Sequence, residues 1–101
     1  MPAKRKKRRT LKTTIALPKV AKRLKQLRRA YGWRQIDIAE ATGIRPPSWN
    51  KYEQGDELIS IYHAVDLCEI TGATLPWIYT GRVTDMPPRL LNRLNAQEPL
   101  V

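Results

Sequence analysis

Few side chains in this sequence could do covalent chemistry. His63 is the only histidine and Cys68 the only cysteine. Five residues apart on a helix, they would point about 140° away from each other and could not form a nucleophile and its base. The same scarcity denies a metal its ligands, and the five glycines are scattered rather than gathered into a phosphate-cradling loop. No catalytic residue, metal, cofactor or small-molecule substrate is therefore expected. What remains is recognition by hydrogen bond and charge. In the stretch from Pro46 to Gln54, steps of 100° put Pro47, Asn50, Lys51 and Gln54 on one helical stripe. Trp49 and Tyr52 fall on the opposite side with Glu53 beside them, so one face reads as core and the other as free to contact a partner.

The cations are unevenly placed. The formal net charge is +10, yet residues 1–35 carry fourteen Lys/Arg and no acid, while residues 36–101 carry five against nine acids. A polyanion therefore meets the N-terminal third first. Lys4, Arg5, Lys6, Lys7, Arg8 and Arg9 lie in the opening MPAKRKKRRTLKTT, whose apolar content is too low to bury the surface that ordering requires. The segment reads as a disordered, phosphate-seeking arm, with a plain solubilising tail as the blander alternative.

The elements that must position these residues follow from periodicity and punctuation. Pro18 suits a first helical turn, and Val20, Leu24, Leu27 and Tyr31 make one apolar stripe ended by Gly32. The basic residues Lys19, Lys22, Arg23, Lys25, Arg28 and Arg29 occupy its other faces. A helix from Gln35 to Thr42 stops at Gly43, and a second follows the two prolines to Gln54. Two short helices joined by a glycine turn make a helix-turn-helix. Further on, Ser60 can cap a helix with Ile61, Ala64, Val65 and Cys68 on one face and Gly72 as its stop, and Thr74 can cap LPWIYT, which ends at Gly81. Pro88 can start a last helix with Leu90, Leu91 and Leu94 in a stripe, either packed on the domain or forming a dimer seam. These boundaries divide the chain into a basic arm (1–17), a domain (18–81) and a C-terminal extension (82–101). The length allows one domain.

Gln35, Ala39, Gly43, Ile44, Trp49, Tyr52, Glu53 and Gly55 stand where the Cro/repressor (XRE-type) helix-turn-helix family has Q, A, G, V, I, I, E and G. The likeness runs from about Val20 to Gly81. The resemblance implies an all-α fold, a five-helix, phage repressor-like domain whose third helix enters the DNA major groove. It implies that Gln35 and the backbone N–H groups at the start of helix 2 hold a phosphate, and that Arg28 pairs with Glu53. Trp33, Trp49 and Trp77 fall on core positions of that family.

The sequence also departs from the family pattern. Arg34 stands where a Ser or Thr cap is usual, and arginine cannot accept a hydrogen bond, so the start of helix 2 should be weak or shifted. The two leading base-contacting positions fall on Pro46 and Pro47, and because a residue before proline resists the helical region, helix 3 is expected to begin at Pro47. Readout is then left to Ser48, Asn50 and Lys51, with Pro47 available to a thymine methyl. Arg34 and Arg45 are placed to reach phosphates. Asp56 and Glu57 follow Gly55 and should repel them.

The reading these features favour is a sequence-specific transcriptional regulator of the phage-repressor type that binds double-stranded DNA. A helix-turn-helix used as a protein-interaction module, such as an antitoxin or a scaffold subunit, is the alternative, as is non-specific nucleic-acid binding through the basic arm. A homodimer stays open. A lone cysteine suits a reducing cytoplasm, and no apolar run approaches a membrane span, so a cytoplasmic, nucleoid-associated protein is expected.

Overall fold

The computed structural model describes residues 15–97, which form six helices and no strand. In chain order these are α1 (Leu17–Ala30), α2 (Gln35–Thr42), α3 (Pro46–Gln54), α4 (Ile61–Thr71), α5 (Leu75–Thr80) and α6 (Pro88–Gln97). The expected arm residues Lys4 to Arg9 lie outside the described residues.

The helix ends follow the punctuation of the sequence. Ser60 Oγ accepts from the His63 N–H, and Thr74 Oγ1 accepts from the Trp77 N–H, each satisfying one of the first-turn donors that a helix leaves unpaired. At the other ends the chain must turn away within one residue. Gly43 does so at φ +79°, where its N–H still reaches the Ala39 carbonyl. A side chain at that left-handed position would be strained, which is why glycine separates α2 from α3.

α1 is the central element. Its Val20, Leu24 and Leu27 are fully buried, and α3, α5 and α6 all pack against it. α2 and α3 pack together, α4 lies against α2, and α5 closes over α1 and α4. Trp49, Tyr52, Ile38 and Trp77 fill the core between them. Trp33 is only half-buried and stacks on Tyr31, with ring centroids 4.9 Å apart.

Four expectations are corrected. α3 begins at Pro46, one residue earlier than expected, because Arg45 takes up the extended conformation (φ −66°, ψ 139°) that lets two prolines open the helix. α2 begins where expected despite lacking a Ser or Thr cap. The capping runs in reverse, with Asp37 Oδ2 accepting from the Arg34 N–H at 2.8 Å. Arg23 is not on a solvated face. It is buried and donates from Nη1 to the Ile78 carbonyl at 2.7 Å, tying α1 to α5, and burial lowers its pKa. The inward face of α4 is Ala64, Leu67 and Thr71, while Ile61 and Val65 are exposed. The α4 sequence has apolar residues around much of its circumference, so periodicity alone does not select the inner side.

The leucine stripe of α6 packs on the domain. Leu90 and Leu94 belong to the same core as α1, and Arg93 both donates to the Ala30 carbonyl and lies 4.7 Å from the Tyr31 ring centroid. Tyr31 in turn donates to the Thr71 carbonyl, so α6 is held where α1 meets α4. Leu94→Ala should therefore cost about 2–5 kcal/mol, the range for truncating a fully buried leucine. Urea unfolding followed by circular dichroism measures it, and a cost below about 0.5 kcal/mol would mean that α6 is not part of the cooperative core.

Candidate nucleic-acid interface

The exposed side of α3 is supported from behind by one buried carboxylate. Glu53 is 5% exposed and accepts four hydrogen bonds. Arg28 on α1 donates Nε at 2.6 Å and Nη2 at 3.0 Å, a bidentate pair. Trp49, one turn earlier on α3, donates its indole N–H at 2.6 Å, and Gln35 at the start of α2 donates Nε2 at 3.0 Å. The remaining Arg28 nitrogen, Nη1, donates to the Trp33 carbonyl at 2.8 Å. Three helices thus converge on one carboxylate, and Arg28 ties the turn between α1 and α2 to the same cluster, which fixes how α2 and α3 sit relative to α1. Burial alone would raise the Glu53 pKa. The hydrogen bonds from Arg28, Gln35 and Trp49 and the arginine charge outweigh it and hold the carboxyl below its ordinary range.

The Arg28 to Glu53 contact agrees with what the family resemblance implied. The Trp49 and Gln35 bonds to the same carboxylate were not foreseen, although the Trp49 and Glu53 spacing of i, i+4 on a helix was legible. Gln35 also donates to Asn50 Oδ1 at 3.3 Å, so the structure joins two of the predicted site residues directly. Both hydrogens of its amide are spent inside the protein. With both amide hydrogens partnered in this structure, the backbone N–H groups of Gln35 and Ile36 are the unpaired donors at the start of α2, since that of Asp37 donates to the Arg34 carbonyl.

The other predicted residues fall as follows. Arg45, Pro47, Asn50 and Lys51 are exposed, Ser48 is half-buried, and Pro47, Asn50 and Lys51 share the outer face of α3. Arg34 is the residue before α2, its side chain 79% exposed and paired with Asp37 at 3.0 Å. The hydrogen bond and charge of Asp37 raise the Arg34 pKa, and the same contacts lower that of Asp37. An exposed pair of this kind is weakly held, so the guanidinium is free to exchange partners. Asp56 and Glu57 are exposed just beyond the end of α3, where their N–H groups reach the Lys51 carbonyl.

The two residues weighed for covalent chemistry are occupied structurally. His63 Nδ1 shares a 2.6 Å hydrogen bond with the Tyr52 hydroxyl, and burial, with a smaller effect of Glu69, pushes the Cys68 thiol up to about 11. Among the described residues no group of His, Cys, Asp and Glu could hold a metal ion, and no helix is long and apolar enough to cross a membrane.

Glu53→Gln should leave the arginine without its counter-charge and remove about 3 kcal/mol of stability at pH 7, read by urea denaturation. Because the folded-state pKa of Glu53 is depressed, its stabilisation is complete above the unfolded value of about 4.3 and is lost as pH falls through the folded value. The difference in stability between wild type and Glu53→Gln should therefore shrink toward acid pH. A difference that stays constant from pH 7 to pH 3 would contradict the arrangement.

A family model described as a helix-turn-helix domain matches residues 20–76, from α1 into α5. Neither curated proteins nor solved structures gave a match. With more than half the chain covered and the glycine-linked pair α2 and α3 at its centre, this protein belongs to the helix-turn-helix domain family.

Proposed function

We propose that the protein is a sequence-specific, DNA-binding transcriptional regulator of the repressor type. The observation that carries this is the outer face of α3, where Pro47, Asn50 and Lys51 stand exposed on a helix whose back is locked by Glu53. A reading element must be rigid to discriminate between bases, and this one is tied to two other helices.

In this reading affinity and choice come from different residues. Arg34 and Arg45, the backbone N–H groups opening α2, and Lys4 to Arg9 of the arm meet phosphates, which position the protein and carry no base information. Ser48, Asn50 and Lys51 meet base edges, and Pro47 a thymine methyl. The prolines and the acids Asp56 and Glu57 weaken two places where phosphate contacts would otherwise be made, so the arm and α1 supply most of the attraction. Regulation of transcription and a place on the cytoplasmic nucleoid belong to the same proposal.

Pairing of two copies completes it. Ile61, Tyr62 and Val65 form an exposed apolar face on α4, with Tyr62 80% exposed, and two copies joined there would double a readout that one short helix supplies sparingly. The same face and the acids after Gly55 also favour the second reading, a protein-interaction module.

Binding to duplex DNA measured across a salt series separates these. Each phosphate neutralised adds about −0.9 to the slope of log affinity against log salt, so removing residues 1–12 should flatten it by roughly 3 if about half the seven charges make contact. Preference among sequences should change less than affinity. Lys51→Ala should cost about 1–3 kcal/mol and relax preference at one position. Unchanged affinity and slope on truncation, with no effect of Lys51→Ala, would move the assignment to protein interaction.

A further inference from the structure

We propose that Arg89 and Arg93 of α6 hold a backbone phosphate of the bound duplex, so that the C-terminal extension gives the protein a further grip on DNA beside the start of α2. The proposal rests on the DNA-binding reading and adds to it a site beyond residues 20–76, the stretch that the family model matches.

Two arginines that no acid answers are the starting point. Arg89 and Arg93 stand one turn apart on α6, hence on one side of it, where two like charges oppose each other. Both are exposed, and among the described residues neither forms an ion pair. Together with Tyr31, Thr71, Pro87 and Leu90 they line a hollow of about 180 Å³.

Arg93 is held in place. Its guanidinium lies 4.7 Å from the Tyr31 ring centroid, and Nη1 donates at 3.3 Å to the Ala30 carbonyl, one of the acceptors that the end of α1 leaves open. Tyr31 is fixed in turn by the bond from its hydroxyl to the Thr71 carbonyl. Closing the end of α1 accounts for Arg93 but uses only one of its N–H donors. It does not account for Arg89, an exposed cation with no counter-charge. An oxyanion seated between the two guanidinium groups supplies that charge. Phosphate suits them, because the planar donor edge of arginine can bind two of its oxygens at once.

The neighbouring chain points to the duplex as the source of that phosphate. Tyr31 stacks on Trp33, and Arg34 and the unpaired N–H groups of Gln35 and Ile36 follow directly. Ala30 and Gln35 are close in sequence, so at most about 18 Å separates the end of α1, where Arg93 is fixed, from the start of α2. One DNA strand carries a charge every 3.4 Å or so of its axis, so a backbone lying against α2 presents further phosphates within that span. Arg29, exposed in the last turn of α1, adds to the same border, and no acid occurs in the chain from Lys19 to Ile36.

The test is duplex binding by the full chain across a salt series, comparing wild type with Arg89→Gln, Arg89→Lys and a variant carrying both Arg89→Gln and Arg93→Gln. Loss of one phosphate contact should flatten the slope of log affinity against log salt by about 0.9 in the double variant and by part of that in Arg89→Gln. Arg89→Lys keeps the charge and should keep the slope. Preference among sequences should not change in any of them, because the contact reads no base. Ethylation of one phosphate should interfere with binding of wild type and cease to interfere with Arg89→Gln.

A wild-type slope together with an unaltered interference pattern in Arg89→Gln overturns the proposal while leaving the DNA reading intact. So does a hollow that takes only a free phosphate compound, seen as inorganic phosphate shifting the arginine side-chain resonances in nuclear magnetic resonance while duplex does not. A wild-type chain that binds no duplex overturns both. Should the double variant lose its native circular dichroism, Arg89→Gln decides by slope and interference, since Arg89 closes no helix end.

Discussion

A carboxylate taken out of water must have its oxygens satisfied, and in this protein that requirement organises the helix pair. Glu53 sits on the inner side of α3, and its partners come from α1, from α2 and from its own helix. Breaking such a pair is costly, yet keeping it adds little over a well-packed apolar substitute. Its worth lies in geometry. An apolar contact among these helices would tolerate rotation of α3 by a fraction of a turn, whereas four directed hydrogen bonds do not. The outer face of α3 is therefore oriented by a residue that is itself buried.

The same constraint separates two kinds of polar residue near the front of the fold. Arg28 and Gln35 both donate to the buried Glu53, and their mutation acts through the position of α3. Arg34, Arg45 and Lys51 are exposed, and Arg34 is held only by a surface pair that solvent weakens. Sequence alone treats both groups as polar side chains near a helix-turn-helix, and only the burial of Glu53 sorts them.

Much of the fold was legible because its signals are local. Glycines at positive φ end α2, α3, α4 and α5, Ser60 and Thr74 cap where their spacing says, and the stripe on α1 faces the core. What was not legible depends on contacts distant in sequence. Nothing near Arg23 reveals that the Ile78 carbonyl will meet it, 55 residues on. The inner face of α4 is decided by where α2 and α5 lie, so Ile61 and Val65 were placed on the wrong side. The start of α3 at Pro46 shows a bias about pre-proline backbone yielding to the helix. Of the candidate site, the exposed stripe on α3 was readable from periodicity, while the bond from Gln35 to Asn50 needed the two helices set against each other.

The two prolines that open α3 also act before the protein folds. Proline at Pro46 and Pro47 fixes φ near the helical value in the unfolded chain as well, so that chain has fewer conformations to surrender there. Neither residue has an N–H, and these are positions where a helix would leave one unpaired in any case. One of the two backbone angles in the first turn of α3 is thus set in advance, at no loss of backbone hydrogen bonds, while Pro47 biases the ψ of Pro46 away from the helical value and the packing of α3 must overcome that bias. Where the family resemblance implies polar side chains, this chain has two prolines instead, and α3 begins from a stiffer unfolded state.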